Sequence, residues 1–137
     1  MSRSGYSDDC DEWGLIRWRG AVASAIRGRR GQAFLKEMLA ALDALPVKRL
    51  IEGDLQAGGE VCAIGAVGAR RGIDLAEIDP HDRSTVANVF GVSEALAAEI
   101  MYINDEARPY WNEETPEQRF ERVHAWVVRN VSSTGQP

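Results

Sequence analysis

Apolar residues recur at helical spacing along most of this chain, and glycine, proline and capping residues separate the stripes. From Trp13 to Arg27, the residues Leu15, Trp18, Val22, Ala25 and Ile26 fall on one helical face. The spacing predicts a first helix there, broken by Gly28-Arg29-Arg30-Gly31. A second stripe, Phe34, Leu35, Met38, Ala41, Leu42 and Leu45, runs to Pro46, where the missing amide ends a helix. So short a link predicts a helical hairpin. Val47 to Ile51 could be strand or helix by periodicity and reads as an extended or irregular connector, followed by a turn-rich stretch up to Gly59.

The centre of the pattern is Gly58 to Gly72. Between Val61 and Ala69 it carries no charge and mixes small residues (Cys62, Ala63, Gly65, Ala66, Gly68) with Val61, Ile64 and Val67. Such a run has no polar face to offer water and belongs inside, with other elements packed close. It reads as a helix from about Gly59 to Arg70 with Gly72 as a left-handed cap; a buried strand is the competing reading.

Beyond it the punctuation is clearer. Asp79-Pro80 reads as an N-cap with proline in the first turn, aided by Asp82, of a helix ending at Gly91. Ser93 opens another, with the stripe Leu96, Ala97, Ile100, Met101 and Ile103, stopped before Pro109. Thr115-Pro116-Glu117-Gln118 fits a capping box, and Phe120, Val123, Val127 and Val131 line a last helix. The expected fold is all-α: one compact domain of five or six helices over residues 13–131 around the small-residue helix. Residues 1–12 read as a flexible acidic leader and 132–137 as a frayed tail.

Composition adds little to this, apart from charge. The 137 residues suit one domain, with ordinary hydrophobic (45%) and charged (27%) fractions. There is no apolar run long enough for a membrane span and no signal-peptide pattern at the polar start, so a cytoplasmic location is expected. The charge, however, is split. Trp13 to Ile51 carries eight basic residues against two acids, a balance of +6; Glu52 to Glu121 carries five against fifteen, a balance of −10. A two-ended molecule of this kind is steered towards charged partners.

The candidate chemistry is sparse. Ala63 to Gly68 can be aligned with a dinucleotide-binding fingerprint, but Gly58, Gly59 and Glu60 interrupt the strand this would need. Ser84 to Ile103 has the cadence of a helix-turn-helix, yet its second helix lacks Arg and Lys and reads as a packing corner. His81 with Asp82, His124, Cys62 and the acids Asp105, Glu106, Glu113 and Glu114 are the available parts for a metal-dependent or acid-base enzyme; no recognised ligand spacing joins them. Cys62, between apolar neighbours, reads as inert. No catalytic residue, metal or cofactor is therefore expected.

Two surfaces remain. Arg17, Arg19, Arg27, Arg29 and Arg30, with Trp18 between them, would suit nucleic acid. The segment Asn104 to Glu114 sets Tyr110 and Trp111 among Asp105, Glu106, Glu113 and Glu114, an aromatic anchor in an acidic rim that would suit a protein partner.

Three short motifs, Cys62-x-x-Gly65-Ala66, Ile103-Asn104-Asp105 and Thr115-Pro116-x-x-Arg119, together resemble a group of small uncharacterised phage and bacterial proteins classed as a domain of unknown function. The acidic loop between Asp105 and Thr115 and the basic hairpin before Val47 depart from that pattern. The resemblance implies a mobile-element accessory protein, for which binding and blocking a host protein is a common mode. It carries over no site residue. With no catalytic constellation, a charge split into opposed ends and Tyr110 and Trp111 in an acid-rimmed loop, the expected function is that of a non-enzymatic protein-binding inhibitor or accessory, for example one blocking a nucleic-acid-guided nuclease of a defence system. Nucleic-acid binding through the basic hairpin is one alternative, and a metal-dependent or acid-base enzyme is another.

Overall fold

The computed structural model describes residues 3–4, 12–108 and 113–131. Its described residues form six α-helices and one minimal antiparallel hairpin: α1 (Glu12–Arg27), α2 (Arg29–Ala44), β1 (Gln56–Ala57), β2 (Glu60–Val61), α3 (Ala63–Arg71), α4 (Arg83–Phe90), α5 (Glu94–Asp105) and α6 (Pro116–Asn130), with a single 3-10 turn at Leu75–Glu77. The chain is mostly helical, as the stripes predict.

The small-residue helix α3 sits at the centre. Ala63 to Gly68 are all buried, and α3 packs against α2 and α5. Glycine is required at two points of this contact. A Cβ on Gly65 would lie 2.0 Å from the carbonyl oxygen of Leu55, and one on Gly68 would lie 2.5 Å from Leu75 Cδ2. Around α3 the core gathers Leu35, Met38 and Leu42 from α2, Leu96, Ile100 and Met101 from α5, and Val123 and Val127 from α6. On α1, Val22 is buried while Trp18, Ala25 and Ile26 are half-buried, and the helix rests on both α2 and α5.

Local signals place most helix ends. Thr115 Oγ1 accepts from the Gln118 amide while Gln118 Oε1 accepts from the Thr115 amide, closing the capping box. Ser93 Oγ accepts from the Leu96 amide, and Gly72 and Gly91 adopt the left-handed conformation, at φ 76° and 75°. Four expectations need correction. The break after α1 is Gly28 alone, since Arg29 and Arg30 are helical. The central helix begins at Ala63, because Glu60 and Val61 pair with Gln56 and Ala57 and Cys62 caps the helix. Asp82, not Asp79, caps α4; Asp79 instead closes a turn onto the His81 amide. Finally, Arg3 and Ser4 of the leader are buried in the domain, 3% and 0% exposed.

Candidate functional site

Arg3 and Ser4 are held at a polar node beside the start of α3, and all three motifs noted above meet there or next to it. The node is built outward from Asn104. This residue falls in phase with the buried stripe of α5, so its amide points into the core, where it must find partners. Asn104 Oδ1 accepts from the Ala63 amide (3.0 Å), and its Nδ2 donates to Ile51 O (2.8 Å) and Asp105 Oδ1 (2.8 Å). The Gly53 amide adds a second bond to that carboxylate oxygen at 3.1 Å. Asp105 is thus fixed by the framework, and Arg3 closes on it side-on: Nε to Oδ2 at 2.6 Å and Nη2 to Oδ1 at 2.9 Å. The remaining nitrogen, Nη1, lies 3.7 Å from Cys62 Sγ.

Burial pushes the Asp105 carboxyl upward, but the hydrogen bonds and charge of Arg3, with help from Asn104 and Gly53, outweigh it and hold the group below the usual carboxylate range. Cys62 is not in the apolar setting its neighbours suggest, since its sulfur faces Arg3 and also accepts from the Gly65 amide at 3.4 Å. Next to the node, Arg119 reaches back from α6 to donate to Leu50 O at 2.9 Å.

Three of the four acids of the 104–114 segment, Asp105, Glu106 and Glu114, are engaged inside the molecule. Glu114, its side chain 8% exposed, is forked by Arg122 at 2.7 and 3.0 Å and faces Arg119 Nε at 3.4 Å. Burial raises its carboxyl, and the Arg122 hydrogen bond followed by the charges of Arg122, Arg119 and Arg108 brings it below its ordinary value. Arg122 also donates to Ile103 O, tying α6 to the end of α5. Glu106 accepts from Ser4 Oγ at 2.7 Å. Of the four acids, only Glu113 is exposed. Tyr110 and Trp111 lie outside the described residues.

The basic surface is the reverse case. Arg19 is spent on a bridge to Glu99 on α5 (2.8 Å). Arg17, Arg27, Arg29 and Arg30 are exposed, and among the described residues no carboxylate pairs with them. Three of the four crowd the elbow at Gly28. There α2 starts with no side-chain cap and no acid in its first turn, and with two arginines at its positive end. The elbow is stiff. A Cβ on Gly31 would lie 1.8 Å from Ala25 O, and Gln32 Nε2 donates to both Ile26 O (2.7 Å) and Asn130 O (2.8 Å). Arg29 and Arg30 border a depression of about 240 Å³ that reaches Val92 and Ser93.

Other sequence candidates resolve into structure. Two of the first-turn amides that a dinucleotide phosphate would need at α3 are taken, Ala63 N–H by Asn104 and Gly65 N–H by Cys62. The second helix of the helix-turn-helix cadence is buried from Leu96 to Met101, and α4 and α5 form a corner bent by 107°. Asp82 is a cap, bonded to the Thr85 amide and hydroxyl, and His81 is exposed. His124 stacks on Phe120 and meets Asp43 of α2 at 2.7 Å. Among the described residues no group of three His, Cys, Asp or Glu side chains could hold a metal, and no single helix is long and apolar enough to cross a membrane.

Comparison of the chain with protein-family models, with curated proteins and with solved structures finds no match.

Proposed function

We propose that this chain works by binding rather than by catalysis, as a small cytoplasmic accessory protein whose contact face is the basic elbow of α1 and α2, and that the face engages nucleic-acid phosphates. One observation carries the reading: Arg17, Arg27, Arg29 and Arg30 are exposed and, among the described residues, no carboxylate pairs with them, whereas Asp105, Glu106 and Glu114 of the acidic segment are bonded within the fold. Arginines left unpaired on a stiff backbone support suit phosphate recognition, because no internal ion pair has to be broken and little backbone order remains to be imposed on binding. Along α1, Arg17 and Arg27 are about 15 Å apart by helical rise. The exposed residues between them include Gly20, Ala21 and Ser24 and no acid.

The test is titration of labelled single-stranded and duplex DNA and RNA at two salt concentrations. Four phosphate contacts give a slope of log affinity against log salt of about −3.6 on duplex DNA, and Arg29→Glu with Arg30→Glu should lower its magnitude to about 1.8 or less. Absence of binding at low salt sinks the proposal.

A second reading has the protein, as a phage-type accessory, block a host nucleic-acid-guided nuclease through the acidic segment. It draws support from the resemblance and from the exposure of Glu113. Its test is capture of the purified nuclease complex by the wild-type chain. Equal capture by Trp111→Ala and by Glu113→Lys would remove the acidic segment from the explanation.

A further inference from the structure

Asp105 is a buried carboxylate whose cation comes from residue 3, 102 positions away in the chain. Everything else that orients it belongs to the folded framework: Asn104 and Gly53 hold Oδ1, and Asn104 is itself fixed by Ala63 and Ile51. The acceptor set therefore stands complete before Arg3 arrives. It also matches one functional group nitrogen by nitrogen, with Oδ2 for Nε, Oδ1 for Nη2 and Cys62 Sγ for Nη1. An ammonium, a compact point charge with no planar fork, would satisfy at most part of that set. Recognition extends to the next residue. The Ser4 hydroxyl donates to Glu106 at 2.7 Å, and the Ser4 carbonyl accepts from Arg83 Nη1 at 2.8 Å.

We propose that this node is a peptide-recognition pocket for an arginyl-seryl segment, filled in cis by Arg3-Ser4 and open to an arginine-bearing peptide in trans when that segment is withdrawn. The chain's own amino-terminal segment is then a competing ligand that keeps the pocket closed. An empty pocket leaves a buried, uncompensated carboxylate, so a vacated site draws in another guanidinium.

The test uses the full chain carrying Arg3→Ala and the peptide acetyl-Ser-Arg-Ser-Gly-amide, with acetyl-Ser-Lys-Ser-Gly-amide as the control. Calorimetry should show saturable binding of the arginine peptide and at least tenfold weaker binding of the lysine peptide, with a matching rise in melting temperature. The unsubstituted chain should bind both weakly, because Arg3 occupies the site, and Asp105→Asn in the Arg3→Ala background should abolish the preference for arginine. If Arg3→Ala does not fold alone, the arginine peptide is expected to restore its helical circular dichroism. Equal response to the two peptides, retention of the preference in Asp105→Asn, or no binding and no restoration overturns the proposal.

Discussion

Gly65 of α3 packs directly on the backbone of Leu55, so closely that a Cβ would stand 2.0 Å from the Leu55 carbonyl oxygen. That oxygen also accepts from the Cys62 amide at 3.1 Å, so it cannot retreat without opening the hairpin that precedes α3. Even Gly65→Ala should therefore cost about 1–3 kcal/mol by overpacking, and Gly65→Leu more. Thermal unfolding of the two variants checks this, and an unchanged midpoint for Gly65→Ala would mean that the contact is loose.

Removing Arg3 should be far more costly than its position near the chain start suggests. The pair with Asp105 is buried, the two side chains being 1% and 10% exposed, and loss of one partner of such a pair costs about 3–5 kcal/mol. Arg3→Met should show this in urea denaturation. Arg3→Met combined with Asp105→Leu should recover much of the loss, since it removes both charges. Additive losses in that cycle would show that the two residues act separately.

The same node sets a response to acid. Asp105 and Glu114 titrate below their ordinary values of 3.8 and 4.5 in the folded state, so as the pH falls the unfolded chain takes up protons first. The stability they contribute is complete above about pH 5 and drains as the pH drops through 4 and then through the lowered folded values. Urea midpoints from pH 2 to 6 should fall on the acid side, and Asp105→Asn should flatten that decline. An unaltered slope in the variant would show that other carboxylates govern acid unfolding.

The elbow arginines make a prediction of opposite sign. Arg29 and Arg30 occupy the positive end of α2, where an acid would be favourable and a base is not. Arg29→Glu and Arg30→Glu should each stabilise the fold by about 0.3–1 kcal/mol while weakening anion binding. A rise in melting temperature together with a loss of affinity fits residues kept for a partner. Destabilisation would show that they serve the fold instead.

How far the sequence could be read depended on the range of each interaction. The Thr115–Gln118 box, the Ser93 cap and the left-handed Gly72 and Gly91 are settled within a few residues, and their patterns are visible as such. The start of α3 is harder to read, because a two-residue hairpin gives no periodicity, a cysteine is an unusual cap, and the Ala63 amide is held by Asn104, 41 positions on, a bond that no local rule announces. Asp79 and Asp82 are both competent caps. The choice falls to Asp82 because the turn at Leu75–Glu77 buries Leu75 and Ile78 first, which sets α4 later in the chain. At the node, the individual motifs could be seen but their convergence could not. The one available signal was Asn104, a polar residue in phase with an apolar stripe. Composition drew attention to the acids of the 104–114 segment, yet whether a carboxylate faces water or an arginine is decided by tertiary packing, as Glu114 and Arg122 show.

Gln32 gives the fold a mechanical property. Its single amide nitrogen serves carbonyls in the last turns of two helices, Ile26 of α1 and Asn130 of α6, which are far apart in sequence. One NH2 group, with a hydrogen for each carbonyl, ties the two helix ends to the same side chain, so release of that side chain removes a bond from both at once. Opening that begins with Gln32 is thereby felt at the close of α6 and at the elbow together. The amides of Gly28 and Val131, bonded to Ser24 and Val127, should exchange with solvent deuterium in step and fall out of step in Gln32→Leu.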